Sequence, residues 1–163
     1  MIQMTVGGLG FDPRNLSPVV LLRDPEELNF LPIWIGVFEA ASIATVLQGI
    51  LPPRPMTHDL FKETVEKLKG KISRIIISDV KEGTFFSVIE IMGSDGKIIP
   101  IDARPSDSIA LALRAEAPIF VSENVMMQAK LVNSEKDAEE TQKFKEFINN
   151  LKPEDFTKYY KKD

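Results

Sequence analysis

The spacing of apolar positions changes several times along the chain, and each change predicts a new element. Residues 2–6 and 18–23 are short runs rich in Val, Ile and Leu with Pro and Asp breakers between them, which predicts two strands. The intervening Gly7-Gly8-Leu9-Gly10 lacks the Lys-Ser/Thr ending of a phosphate loop and no helical pattern follows it, so it reads as a bulge or bend in a strand. Residues 30–35 predict a third strand. From Gly36 to about Leu51 the spacing becomes helical and the helix is apolar almost all round. Its polar residues, Glu39, Ser42, Thr45 and Gln48 or Gly49, recur about every third position and form one narrow stripe. The remaining surface calls for a sheet or a second subunit to cover it.

Pro52-Pro53-Arg54-Pro55 stops that helix. Thr57 is the expected N-cap of the next one, with Met56 and Phe61 at hydrophobic-staple spacing and Asp59 in the first turn. Leu60, Phe61, Thr64, Val65 and Leu68 form its expected buried stripe, and Gly70 its expected stop. Strands follow at about 71–79, 84–92 and 97–102, joined by Lys81-Glu82-Gly83 and Ser94-Asp95-Gly96. Such short turns make them an antiparallel meander. Ile75-Ile76-Ile77 points to a central strand covered on both faces.

A helix from about 107 to 115 should have Ser106 or Asp107 as its N-cap, and Pro118 to Val121 reads as a short edge strand. Ser122 then caps a helix through about Ala129. From Ser134 half of the residues are charged, and Phe144, Phe147, Ile148 and Leu151 fall on one stripe of an appended helix, about 135–150. The expected fold is α+β: a mixed, largely antiparallel sheet with helices packed on it, plus an appended C-terminal helix. The expected division is a domain over 1–131 and a charged helical tail over 132–163.

Composition narrows the chemistry. With no cysteine, disulfides and thiolate zinc sites are excluded, which fits a reducing compartment. Phe30 to Phe38, the longest apolar stretch, is broken by Pro32 and far short of the roughly 20 residues of a spanning helix, so no membrane association and a cytoplasmic location are expected. The net charge of −4 opposes tight non-specific polynucleotide binding, although a local basic site is compatible with it.

Two segments repeat one logic. Arg54-Pro55-Met56-Thr57-His58-Asp59 and Asp102-Ala103-Arg104-Pro105-Ser106-Asp107 each bring an Arg, a hydroxyl and a carboxylate to a helix start. Helix N-termini attract anions, and a neighbouring Arg adds a bidentate phosphate contact. Arg54, Thr57, Arg104 and Ser106 are therefore candidate phosphate ligands. Asp59, Asp102 and Asp107 are candidate catalytic acids and ligands for Mg²⁺ or Mn²⁺, with Glu39 a fourth acid; no organic cofactor is expected. His58, the single histidine, is the candidate general acid or base. The same residues also suit ordinary helix caps and inter-loop salt bridges.

Gly36-x-x-Glu39, Arg54-Pro55-x-Thr57-His58-Asp59-Leu60, Thr84-Phe85-Phe86 and the run from Asp102 to Ala112 resemble, in order, the bifunctional nuclease domain family. Ser108 stands where that family's pattern has Ala. The charged tail is similar to the short helical tail that some members carry. The resemblance implies hydrolysis of phosphodiester bonds in DNA and RNA. Two other readings fit the same residues. One is a non-catalytic module that binds an anion or nucleotide. The other is a structural protein acting through an oligomer, most simply a homodimer using the apolar helix that begins at Gly36.

Overall fold

The structure is a computed structural model, and it describes residues 1–135 and Glu146. Among the described residues seven strands form one sheet: β1 (Ile2–Phe11), β2 (Pro18–Arg23), β3 (Phe30–Trp34), β4 (Lys71–Lys81), β5 (Thr84–Met92), β6 (Ile98–Ala103) and β7 (Ile119–Val121). Among the described residues four helices are interspersed: α1 (Val37–Leu47), α2 (Thr57–Lys67), α3 (Pro105–Ala115) and α4 (Glu123–Glu135). The strand order is β3-β2-β1-β7-β4-β5-β6, with β4 and β7 paired in parallel and the other neighbours antiparallel. This is the expected α+β arrangement of helices on a mixed sheet. Among the described residues no helix is long and apolar enough to cross a membrane.

Two meanders, β1–β3 and β4–β6, are each built from short connections, and β7 zips them together. The sequence pattern makes β7 an edge strand because of Pro118, but it lies in the middle of the sheet. Pro118 stands just before the strand, where its missing N–H costs nothing and its carbonyl accepts the Ile75 N–H at 3.0 Å. The glycine-rich stretch belongs to β1, whose register with β2 shifts between Val6 and Gly8, as a bulge requires. In β4, Ile75 and Ile77 are wholly buried on one face, whereas Ile76 on the other is half-buried. The strand is central, as expected, and more heavily covered on one side.

Ile43 and Ala40 of α1 and Ile109 to Ala112 of α3 join Ile75, Ile77 and Ile89 of the sheet in one core. The small residues let α3 lie close to the sheet. Ser108, the departure from the family pattern, is fully buried there and shares a hydrogen bond with Ser87 Oγ at 2.6 Å. Since Ser87 donates its own proton to the Ala103 carbonyl at 2.7 Å, Ser108 is the donor in this pair and no hydroxyl is left unsatisfied.

Helix α2 departs most from its pattern. None of its residues is buried, and Leu60, Phe61 and Leu68 are exposed. Its least exposed positions are His58, Asp59, Lys62 and Val65, which fall on one face at helical spacing. The helix is thus turned with its polar-led face inward. Its ends also differ from expectation. Met56 takes the N-cap position in place of Thr57. At the other end Lys69 adopts the left-handed conformation (φ 62°). Gly70 serves a different need, since a Cβ there would press on Val65 and Ile91 at 3.2 and 3.3 Å. In α3 the N-cap is Arg104, not Ser106 or Asp107, and Pro105 opens the first turn. Helix α1 stops at Leu47, before the predicted Leu51. Helix α4 runs to Glu135, beyond the expected end at about Ala129, and Ser122 caps it by accepting the Val125 N–H at 3.2 Å. The expected stripe from Phe144 to Leu151 lies outside the described residues.

Candidate functional site

The N-terminal turns of α1, α2 and α3 meet around a cleft of about 410 Å³ lined by Phe38, Glu39, Ser42, Met56, Thr57, His58, Arg104, Asp107 and Arg114, among others. Each helix delivers its polar face. In α1, Ala40, Ile43 and Ala44 face the core, so the stripe Glu39, Ser42 and Thr45 is left lining the cleft. Gly36 gives Glu39 room. A Cβ on Gly36 would collide with the Glu39 carboxylate where it folds back over the start of its own helix.

His58 is the hub. Its Nε2 lies 2.9 Å from Asp107 Oδ1 and its Nδ1 2.7 Å from Ser42 Oγ. A carboxylate only accepts, so Nε2 carries a proton; in the neutral ring Nδ1 is then the acceptor and Ser42 the donor. The His58 side chain is 13% exposed and that of Asp107 29%, so the pair is sheltered but open to the cleft.

Arg104 closes the other side of Asp107. Its Nε and Nη2 each lie 2.9 Å from Asp107 Oδ2, and Nη1 lies 3.1 Å from Glu39 Oε1. The hydrogen bond and charge of Asp107, with the added charge of Glu39, push the guanidinium pKa up and keep it charged. Its side chain is 67% exposed, which leaves it free to swing toward an incoming anion. Arg104 also borders a second cleft of about 370 Å³, shared with Trp34, Thr84, Phe85 and Ser106. The two clefts therefore abut at one guanidinium.

Beneath the cleft Arg114 ties all three helices together. Its Nε donates to Asp59 Oδ1 at 2.7 Å, one Nη to the Ser42 carbonyl at 3.2 Å and the other to the Ala110 carbonyl at 3.0 Å. Asp59 also accepts the Met56 N–H at 3.0 Å. Burial raises the Asp59 pKa, but the Arg114 and Met56 hydrogen bonds and the charges of Arg114 and His58 outweigh it, leaving the acid below its ordinary value.

The structure thus brings Glu39, Thr57, His58, Arg104 and Asp107 to one cleft. Asp59 sits behind them with Arg114, and Ser106 turns to the second cleft. Arg54 and Asp102 are exposed and line neither, Asp102 lying on β6 opposite Val88. Asp59, Asp102 and Asp107 therefore do not converge, and among the described residues no group of three or more His, Asp or Glu side chains is placed to hold a metal ion. The acids that do face the cleft are each engaged with Arg104.

Two residues of the network carry no motif signal. Ser42 is visible in the sequence only as part of a polar stripe. Arg114 lies one and two turns beyond Ala110 and Asp107, on the same helix face, in a last turn that favours a cation.

The bifunctional nuclease domain model matches residues 20–134, which spans β2 to α4 and so contains the whole cleft. The chain belongs to the bifunctional nuclease domain family. An uncharacterized protein of Mycobacterium tuberculosis is 41% identical over 165 residues, covering 96% of this chain and 98% of its own. Bifunctional nuclease 1 of rice (Oryza sativa subsp. japonica) is 26% identical over 109 residues, and bifunctional nuclease 2 of Arabidopsis thaliana 22% over 108. Those matches cover 66% and 65% of this chain and 33% of each plant protein, so two thirds of either plant protein has no counterpart in the match.

Proposed function

We propose that the cleft hydrolyses phosphodiester bonds in nucleic acid, DNA and RNA alike. The observation that carries this reading is the hydrogen-bonded chain Ser42–His58–Asp107 set beside the exposed guanidinium of Arg104. Such a chain moves a proton, and Arg104 offers a bidentate seat to a phosphate once it releases Glu39 and Asp107. Family membership and the plant relatives named bifunctional nucleases support the substrate class.

In this reading His58 is the acid and base, and Asp107 holds its ring in the required tautomer. Thr57 and the start of α2 face the phosphate, and Arg54 adds charge on the approach. The chemistry runs on these side chains. Glu39 and Asp107 are the two acids that face the cleft, and an assay in EDTA decides whether the expected Mg²⁺ or Mn²⁺ takes part.

Labelled single-stranded RNA and DNA, incubated with the purified chain in Mg²⁺, Mn²⁺ or EDTA, test the reading against identically prepared His58→Ala. Cleavage that persists in EDTA and falls about 10²–10⁴-fold in the folded variant is expected. Strict metal dependence would restore a cation to the site. Equal cleavage by both proteins would remove the cleft from the reaction. Phosphate binding without turnover would favour the anion-binding module, for which the double carboxylate partnering of Arg104 is the specific observation.

The protein is also proposed to work in the cytoplasm, which cell fractionation checks, and as a homodimer. The exposed Phe38, Leu51, Leu60 and Leu68 support the latter, because this is apolar surface that a second copy would cover. Light scattering should then give twice the 18.3 kDa chain mass, and a monomer at micromolar concentration would end that part of the reading.

A further inference from the structure

We infer that Ser42 is the nucleophile of this site. The inference rests on the nuclease reading above and names the group that attacks phosphorus. His58 has two ring nitrogens, and both are taken. Nε2 faces Asp107 at 2.9 Å and Nδ1 faces Ser42 at 2.7 Å. A water molecule attacking first would find no free nitrogen to receive its proton. The Ser42 hydroxyl already hands its proton toward Nδ1, and Ser42 lines the cleft beside Arg104 and Thr57.

The helix carries Ser42 for no evident packing reason. Its neighbours Ala40, Ile43 and Ala44 make the core contacts, and the hydroxyl does not cap or bond the α1 backbone as Thr45 does with Ala41. Its side chain hydrogen-bonds to the histidine. Base and nucleophile in contact, with the base held by a third group, is the arrangement that activates a hydroxyl. The order of ring nitrogens is reversed relative to the usual serine-hydrolase triad, in which serine faces Nε2. The proton logic is unchanged.

The reaction then has two balanced stages. Ser42 Oγ bonds to phosphorus as its proton passes to His58 Nδ1, and the bond from phosphorus to one ester oxygen breaks. That oxygen leaves with the proton from His58, and the other strand end stays on Ser42 as a phosphodiester. Water, now able to reach the freed Nδ1, gives it a proton and attacks phosphorus. The Ser42–phosphorus bond breaks, and the proton returns to Ser42 Oγ.

The test uses the full chain with Ser42→Ala and His58→Ala, each checked for wild-type circular dichroism. One arm quenches cleavage of a labelled oligonucleotide with acid and maps adducts by peptide mass. The other uses an alkyl fluorophosphonate, in which a bond from Oγ to phosphorus forms as fluoride leaves, so it reads nucleophilicity without nucleic acid. The expected result is an adduct on Ser42 in both arms. Labelling should be at least about 100-fold slower in His58→Ala, and cleavage should be abolished in Ser42→Ala. Cleavage by Ser42→Ala within about tenfold of wild type would overturn the inference while leaving the nuclease reading intact. Cleavage lost in Ser42→Ala with no adduct in either arm would overturn it too, reducing Ser42 to a residue that orients the ring. Fluorophosphonate labelling of Ser42 by a protein that cuts no nucleic acid would keep the nucleophile and sink the nuclease reading.

Discussion

The two Arg-Pro segments are written in nearly the same letters and do different work. Both place an Asp at the third helical position, Asp59 in α2 and Asp107 in α3. They differ in where the Arg-Pro pair falls relative to the helix start. Pro105 is the first residue of α3, so Arg104 is its N-cap and its guanidinium folds back onto Asp107 three residues later. Pro55 lies one residue before the N-cap Met56, so Arg54 stands two residues before the N-cap and stays exposed. Asp59, left without a local Arg, takes Arg114 from the far end of α3. A two-residue shift turns one segment into a structural clamp that happens to present His58, and leaves the other with its guanidinium at the edge of the cleft.

The largest expected effect is on the clamp. The Arg114 side chain is 7% exposed and its partner Asp59 27%, so Arg114→Met leaves a partly sheltered carboxylate unpaired and the α1–α2–α3 junction unbraced. A loss of about 2–4 kcal/mol in urea unfolding is expected, somewhat below the range for a fully buried pair because Asp59 keeps some contact with water. A change under about 0.5 kcal/mol would show that the junction is held by packing alone. Acid sharpens the same point. Asp59 has a depressed pKa in the fold, so its contribution is present above the ordinary carboxylate value and is lost as pH falls through the lower folded-state value. Stability of Arg114→Met should fall less steeply than wild type across that acid window; parallel curves would disconnect Asp59 from the clamp.

Next comes Arg104→Ala, whose effect should fall on activity instead. Its side chain is 67% exposed, so its ion pairs with Glu39 and Asp107 contribute little to folding, and unfolding should shift by less than about 1 kcal/mol. Loss of one charged phosphate contact should lower kcat/KM by roughly 10–100-fold, and Arg104→Lys should recover only part of that, having no planar fork. Destabilisation as large as that of Arg114→Met would make both segments clamps.

How much of this was legible depended on which signal governed each part. Strand positions were, because turn residues bracket runs of β-branched residues and tertiary context had little to override. The interior place of β7 was not, because pairing with both β1 and β4 is a long-range choice that three residues cannot encode. The inward face of α2 departs from its pattern for a related reason. Hydrophobic spacing favours Leu60, Phe61 and Leu68, yet the helix docks through His58 and Asp59, whose partners Ser42, Asp107 and Arg114 lie 16, 49 and 55 residues away. The cleft residues Glu39, His58, Arg104 and Asp107 stood out because chemistry-bearing side chains cluster at helix starts. Ser42 and Arg114 sit mid-helix and at a helix end, where a Ser in a polar stripe or an Arg in the last turn is unremarked until the neighbours are known.

The smallest expected effects belong to the two candidate residues that the fold leaves outside. Asp102→Asn should leave both unfolding and cleavage unchanged within error, since the side chain points from the exposed side of β6 and joins none of the cleft's hydrogen bonds. Arg54→Ala should leave stability within about 0.5 kcal/mol and raise KM two- to threefold, an effect that disappears as salt rises, because an exposed cation on the approach acts through a screened field. Cleavage assays of both variants at low and high salt make the measurement. A salt-independent drop in kcat from Arg54→Ala as large as that from Arg104→Ala would mean that Arg54 reaches the phosphate when substrate is bound. The two Arg-Pro segments would then act alike, and the register argument would fail at the point where it claims the most.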